Sequence, residues 1–277
     1  MAQPEAGSAR FRFSVWKPGD EANGEAERAI VAETPIAIEY NGIGYAVMMA
    51  TPIDLDDFAI GFSLSEGLIN APQQILSIDR ESTPQGWVLR IQLPPGKVQK
   101  VIDRARQRVS ESSCGLCGMD NLDEVMRALP HVTAAIKLQK SAIFSALNTL
   151  RAHQPLSVAT GASHAAAFCS PDGKILMVRE DVGRHNALDK LLGALAVRDI
   201  VASSGFIVLT ARCSFELVQK TILANCPVLV TISAATDLAI TTAANHNLTL
   251  ISLARPDGIL VDGLLSDAAL VASPQND

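Results

Sequence analysis

The chain has 277 residues, 48% of them apolar, a net charge of −6 and five cysteines, which is apolar content for a substantial core in one large domain or two ordinary ones. The acidic balance excludes a duplex-binding surface, which needs Lys and Arg in clustered excess, but leaves room for a local anion pocket. The start of the chain has no basic segment followed by an apolar one, and no uncharged apolar run reaches the ~18 residues of a membrane span, so the chain reads as cytoplasmic, with neither membrane nor nucleic acid as partner.

Met1 to about Glu27 mixes Pro, Gly, Ala and acidic residues without periodicity and reads as a mobile tail. The runs Thr34–Tyr40 and Ile43–Met49 flank Asn41-Gly42, the pair favoured in a type I′ turn, and predict a β-hairpin. Thr51 reads as the cap of a helix carrying Leu55, Phe58, Ala59 and Phe62, with Gly67 as its stop. Short strands around Ile75–Ile78 and Trp87–Leu93 precede a mixed-charge helix or strand over Val98–Val109. Two amphipathic helices follow, one through Leu122, Val125, Met126 and Leu129, the other through Ile143, Phe144, Leu147 and Leu150 with Ser141 as its cap.

From Leu156 onward strands alternate with helices. Strands are expected at Leu156–Ala159, Ala165–Phe168, Ile175–Val178, Phe206–Thr210, Val228–Ile232 and Leu248–Leu253; helices at Asn186–Val197, Phe215–Ala224 and Asp237–His246. Continuous apolar strands alternating with helices imply an α/β layer around a buried, mixed sheet. The fold class is therefore α/β. Residues 28–133 form a smaller α+β domain that carries a cysteine loop at 110–119, and residues 134–277 form the α/β domain.

That loop, Ser112-Ser113-Cys114-Gly115-Leu116-Cys117-Gly118, points to sulfur chemistry. Gly115 and Gly118 permit tight turns and leave both thiols uncovered, and a helix starting near Asn121 would favour the thiolate. A thiolate can accept the terminal sulfur of a donor persulfide, and a second thiol can resolve the product by exchange. Zinc would need two further ligands, and His131, His153, His164, His185 and His246 are isolated in sequence. Cys169, Cys213 and Cys226 sit in apolar patterns and read as core thiols.

Glu180-Asp181-Val182-Gly183-Arg184-His185-Asn186 lies where a strand becomes a helix, a place where α/β sheets bind anions; a solvated loop capped by Asp181 is the plainer alternative. Thr160-Gly161-Ala162-Ser163-His164 has the same loop character, and Arg212 and Ser214 stand at a third strand-to-helix turn. His164 lacks the glutamate that zinc deaminases place two residues after their ligand histidine, and the cysteine pair precedes it rather than follows. Deamination is therefore disfavoured.

Together these segments, with Ser65-Glu66-Gly67, the run from Glu180 to Lys190, the run from Ser214 to Lys220 and Pro227-Val228-Leu229-Val230, resemble the formate dehydrogenase accessory sulfurtransferase family over about residues 30–255. The resemblance implies a cytidine-deaminase-like α/β domain behind a smaller domain, a homodimer, and no zinc. It implies that a cysteine desulfurase supplies persulfide sulfur to Cys114, with Cys117 its partner. The acceptor would be the molybdenum of a bis-molybdopterin guanine dinucleotide cofactor, bound as substrate and needed by formate dehydrogenase. Such a ligand carries guanines and pyrophosphates, for which Thr160, Gly161, His164, Arg184, His185 and Arg212 are the candidates. A loop after the last core strand, here Leu253, Ala254, Arg255, Pro256, Asp257 and Gly258, would also contact it. The chain departs from the family pattern at Leu253, at Gly258 and in the segment Ile259–Asp262, at Ala211, and at Ala162. The alternatives are a cofactor-binding chaperone that moves no sulfur, and a zinc-dependent deaminase.

Overall fold

The computed structural model describes residues 6–16, 18, 24–111 and 128–262, without the side chains of residues 106–111. Cys114, Cys117 and the expected helix positions Leu122, Val125 and Met126 lie outside the described residues, and Leu129, expected on the same helix, is described outside any helix.

Within the stretch read as a tail, β1 (Ser8–Val15) pairs antiparallel with β2 (Gly24–Val31) over eight pairs without a shift. Diagonal ion pairs, Arg10 to Glu27 at 3.4 Å and Arg12 to Glu25 at 3.7 Å, tie the two strands together. Such pairs span 13 to 17 positions and leave no local period to read.

The next four strands form one sheet: β3 (Thr34–Tyr40), β4 (Ile43–Ala50), β5 (Ser77–Thr83) and β6 (Gly86–Gln92), in the order β4-β3-β6-β5, with β3 and β6 parallel. Asn41 and Gly42 both take positive φ, 50° and 79°, so the expected type I′ turn closes β3 on β4. Helices α1 (Leu55–Ser65) and α2 (Pro95–Glu111) supply Phe58, Phe62, Val101 and Ala105 to a core with Ile36, Ile38, Tyr40, Leu89 and Ile91. The mixed-charge segment is thus helix. Thr51 does not cap α1; Asp54 holds the cap position in a left-handed conformation, and Thr51 is fully buried with long-range partners.

The remaining strands form a six-stranded mixed sheet: β7 (His164–Cys169), β8 (Ile175–Asp181), β9 (Phe206–Leu209), β10 (Val228–Thr231), β11 (Thr249–Arg255) and β12 (Gly258–Val261). Their order is β8-β7-β9-β10-β11-β12; β9, β10 and β11 are mutually parallel, and the other pairings are antiparallel. Successive side chains point to opposite faces of a strand. Ala166, Phe168, Ile207, Leu209, Leu229 and Leu250 accordingly meet α5 (Arg184–Val197), α6 (Phe215–Leu223) and α7 (Asp237–Asn245). Ala167, Phe206, Val208, Val230 and Ile251 meet α3 (Lys140–Leu150) on the other face. The α3 cap position is Gln139, so Ser141 lies inside the first turn rather than before it.

Leu156–Ala159 is not a strand. It lies in a short helix, α4 (Pro155–Thr160), with Pro155 in its first turn and Gly161 as a left-handed stop. The Glu180 carboxylate accepts from the backbone N–H groups of Leu156 and Ser157 at 2.8 Å each, satisfying donors that a strand would have paired in a ladder. The expected C-terminal loop is also mostly strand: Leu253, Ala254 and Arg255 complete β11, Pro256 and Asp257 make the turn, and Gly258 opens β12. The apolar run Ile259–Val261 folds back onto Ile251 and Ser252, which leaves a two-residue turn where a loop was expected.

Candidate functional site

The carboxyl ends of β8, β9, β10 and β11 and the amino end of β7 all lie at one edge of the six-stranded sheet. Every candidate anion-binding residue sits there. His164 opens β7 opposite Asp181, the last residue of β8. Arg184 and His185 start α5, and Arg212 and Ser214 follow β9. Thr160 and Gly161 end α4 immediately before β7. The Pro256-Asp257 turn projects from the same edge, since β12 runs antiparallel to β11. Backbone bonds join the loops beyond the strand ends: Cys213 N–H to Ala234 O, Thr236 N–H to Cys213 O, and Leu253 N–H to Ser233 O.

Within this edge His164, Arg184, His185, Ser214 and Glu216 form one cluster. His185 Nε2 stands 2.7 Å from a Glu216 carboxylate oxygen and 3.2 Å from Ser214 Oγ. That bond from His185 holds the Glu216 carboxyl below its usual range. Burial, followed by the Arg184 guanidinium, holds the His164 imidazole below its ordinary value against the opposing pull of Asp181. Arg184 Nε is buried and has no hydrogen-bond partner among the described residues. A cationic N–H left unpaired beside a helix N-terminus suits an anionic oxygen. Arg212, Arg255 and Asp257 are exposed at the rim, whereas Ala254 is buried in the α3-side core, so only its backbone remains for a ligand. Leu253 takes φ 48° where the β11–β12 register shifts, a left-handed conformation that strains a branched side chain at the edge of the site.

The His164 shift has a sign. Its neutral form is favoured in the folded chain, so the stability it contributes is complete above the ordinary histidine value and is lost as pH falls through the lower folded value. Arg184→Gln removes a cationic neighbour and raises the His164 midpoint, read from its imidazole proton shifts in an NMR titration. A midpoint unmoved by the substitution would refute the electrostatic coupling.

Behind the turn lies a buried network that sequence reasoning missed. Asp181 is fully buried; its Oδ1 accepts from Gly183 N–H at 2.7 Å and Asn186 Nδ2 at 3.0 Å. Its Oδ2 accepts from Thr51 N–H at 3.0 Å and lies 2.6 Å from Lys190 Nζ, itself fully buried and donating to Thr51 O at 2.8 Å. Thr51 Oγ1 in turn accepts from Val182 N–H. Immediately before Lys190 on α5, the buried Asp189 takes both carboxylate oxygens to Lys220 at 2.6 Å and accepts from Ser65 Oγ at 2.6 Å. Arg179 Nη2 stands 2.6 Å from Asp57 on α1. The only local hint of this was a lysine and an aspartate in the otherwise apolar run Ala187–Leu195.

Cys169, Cys213 and Cys226 are buried, and burial pushes each thiol up to about 12. They are core thiols, inert as nucleophiles near neutral pH. A cleft of about 660 Å³ opens at the opposite, amino edge of the sheet, lined by Ser65, Asn70, Leu192, Val201, Lys220 and Asn225 among others. It contains none of the anticipated anion-binding residues.

The FdhD/NarQ family profile matches residues 31–261, five-sixths of the chain and a span that includes both Cys114 and Cys117. The chain belongs to the FdhD/NarQ family. Among its relatives, the sulfur carrier protein FdhD of Variovorax paradoxus is 44% identical over 232 residues, covering 84% of each chain. The sulfur carrier protein FdhD of Xanthomonas euvesicatoria pv. vesicatoria is 46% identical over 232 residues, 84% of this chain and 83% of that one. The fold of this FdhD/NarQ member is similar to the crystal structure of a protein described as a formate dehydrogenase accessory protein from Desulfotalea psychrophila. The TM-score is 0.74 at 23% identity, over 95% of this chain and 99% of that one. No helix among the described residues is long and apolar enough to cross a membrane.

Proposed function

We propose that this protein is a sulfur carrier that serves a formate dehydrogenase. The observation that carries the proposal is the family match across Cys114 and Cys117 in a chain whose other three thiols are buried and raised to about 12. Only the Ser/Gly-rich pair is left for sulfur chemistry. In the proposed single transfer the Cys114 thiolate attacks the outer sulfur of a desulfurase persulfide; a sulfur–sulfur bond forms on Cys114 and the desulfurase cysteine leaves as thiolate. Attack by the Cys117 thiolate on the inner sulfur then forms a Cys114–Cys117 disulfide and expels hydrosulfide, with the cysteine pair supplying the two electrons. The acceptor is the molybdenum of a bis-molybdopterin guanine dinucleotide cofactor, held as substrate at the edge bearing Arg184, His185 and Arg212. The Arg184 Nε, which has no partner among the described residues, and the α5 N-terminus support that placement.

The finer reading includes a cytoplasmic homodimer with domains at 28–133 and 134–277 and a cytidine-deaminase-like second domain. A mixed sheet covered by helices on both faces supports the last of these. Intact-protein mass spectrometry after incubation with a cysteine desulfurase and cysteine tests the function. Native protein gains the mass of one or more sulfur atoms and Cys114→Ala gains none. A native protein that takes up no sulfur overturns the carrier reading.

A further inference from the structure

Glu216 is a carboxylate at an edge that otherwise suits anions. It stands at the second position of α6 with its side chain 60% exposed, and besides His185 the charges that act on it are those of Arg184 and Lys220. An acidic side chain in a first helical turn favours the macrodipole, and an exposed carboxylate repels a phosphate, but neither role calls for the contacts this one makes.

The carboxylate reaches from α6 to His185 at the second position of α5, where it lies 2.7 Å from Nε2. An ionised carboxylate only accepts, so Nε2 carries the hydrogen. Ser214 completes the arrangement. It holds the cap position of α6 but its side chain caps nothing there; its Oγ lies 3.2 Å from the same Nε2 and donates to the Glu216 carboxylate at 3.5 Å. Two side chains at one helix N-terminus thus hold a single ring nitrogen at another. With Nε2 committed, Nδ1 is the polar atom the ring has left, and it has no hydrogen-bond partner among the described residues. Its surroundings suit a ligand: Arg184 precedes it with a buried Nε that no described residue pairs, and Arg184 and His185 both act electrostatically on His164.

We propose that Glu216, with Ser214, is a positioning residue of this edge: it fixes the His185 imidazole by Nε2 and so presents Nδ1 to the bound ligand. The proposal rests on the placement of the guanine- and pyrophosphate-bearing cofactor here and adds the residues that set the imidazole within that site. Nδ1 accepts from a guanine N–H or ribose hydroxyl when the ring is neutral and donates to a phosphate oxygen when the ring is protonated. In either state the ring must face the ligand. The repulsion between one solvent-exposed carboxylate and a phosphate is screened by water and salt, whereas a ring free to turn away loses its contact, so orientation outweighs repulsion.

The test combines GDP affinity by calorimetry with NMR detection of the His185 Nε2–H proton, on the full chain. Native protein is compared with Glu216→Gln, which keeps an oxygen acceptor and loses the charge, with Glu216→Ala, which loses both, with His185→Ala, and with the double alanine variant. Glu216→Ala is expected to bind GDP roughly fivefold more weakly, the effect of one lost hydrogen bond, and Glu216→Gln about as well as native. Once His185 is alanine, Glu216→Ala should cost nothing more. The Nε2–H proton should stay protected from exchange in native protein and Glu216→Gln and lose its protection in Glu216→Ala, with thermal unfolding nearly unchanged because the pair is solvent-exposed on its Glu216 side. Tighter or unchanged GDP binding by Glu216→Ala overturns the proposal alone, and so does an Nε2–H that stays protected in that variant. A GDP affinity indifferent to His185→Ala overturns the placement of the cofactor at this edge with it, and neither result bears on sulfur transfer at Cys114.

Discussion

Gly61→Ala and Gly193→Ala each destabilise the protein by about 3–5 kcal/mol, the upper range for point substitutions. Helices α1 and α5 cross with backbone against backbone. A Cβ on Gly61 would stand 1.7 Å from Asp189 O, and one on Gly193 would stand 1.9 Å from Asp57 O. Each glycine thus meets the carbonyl four residues before the other. Both obstacles are backbone atoms of regular helices, so a rotamer change gives no relief and the helices must separate. Separation also stretches the Ser65–Asp189 contact, which runs along the same seam, and moves Asp57 of α1 relative to Arg179 of β8. Gly44→Ala is the control, since its Cβ meets nothing within 4 Å and its φ is not positive. Urea unfolding measures all three variants; a Gly61→Ala cost no larger than that of Gly44→Ala would mean that the seam is loose. The double variant should cost less than the sum of the singles, because the first substitution already opens the gap.

The elements legible in the sequence were those whose signals are local. Asn41-Gly42 dictates its turn through φ alone, and α5, α6 and α7 each repeat apolar residues at helical spacing through Leu188, Leu191 and Leu195 or their equivalents. The edge that gathers His164, Arg184, His185 and Arg212 was legible for a related reason, since each residue stands at a strand end and the order of strands brings the ends together. What failed was decided at long range. Four apolar residues at 156–159 suit strand or helix equally, and the choice falls to Glu180, about two dozen positions away. Thr51 looks like a cap in sequence and is instead a bolt, with partners 130 to 139 positions away. Lys190 and Asp189 would be solvated on an ordinary helix; here the crossing of α1 over α5 buries both. The cysteine pair lies outside the described residues, and its role rests on chemistry and kinship.

Asp181→Ala costs about 3–5 kcal/mol, because it leaves the Lys190 ammonium buried without its counter-ion. Burial already draws the Lys190 pKa down, with the Asp181 charge as the main opposing influence. Lys190→Met in the same chain removes the stranded charge and should recover a large part of the loss, since an apolar side chain of similar length fills the same space. The site responds differently. Asp181 Oδ1 also holds Gly183 N–H and Asn186 Nδ2, the two bonds that set the turn presenting Arg184 and His185, and methionine at 190 supplies no acceptor for either. GDP serves as a probe of the proposed guanine and pyrophosphate site. Its affinity, measured by calorimetry, should fall at least tenfold in Asp181→Ala and stay low in the double variant while the stability returns. If stability and GDP affinity recover together, Asp181 acts only as half of an ion pair. If neither variant alters GDP binding, the nucleotide does not sit at this edge. The expected split, with the fold restored and binding still weak, assigns one carboxylate two separable tasks: Oδ2 clamps α5 to the Thr51 segment, and Oδ1 shapes the turn.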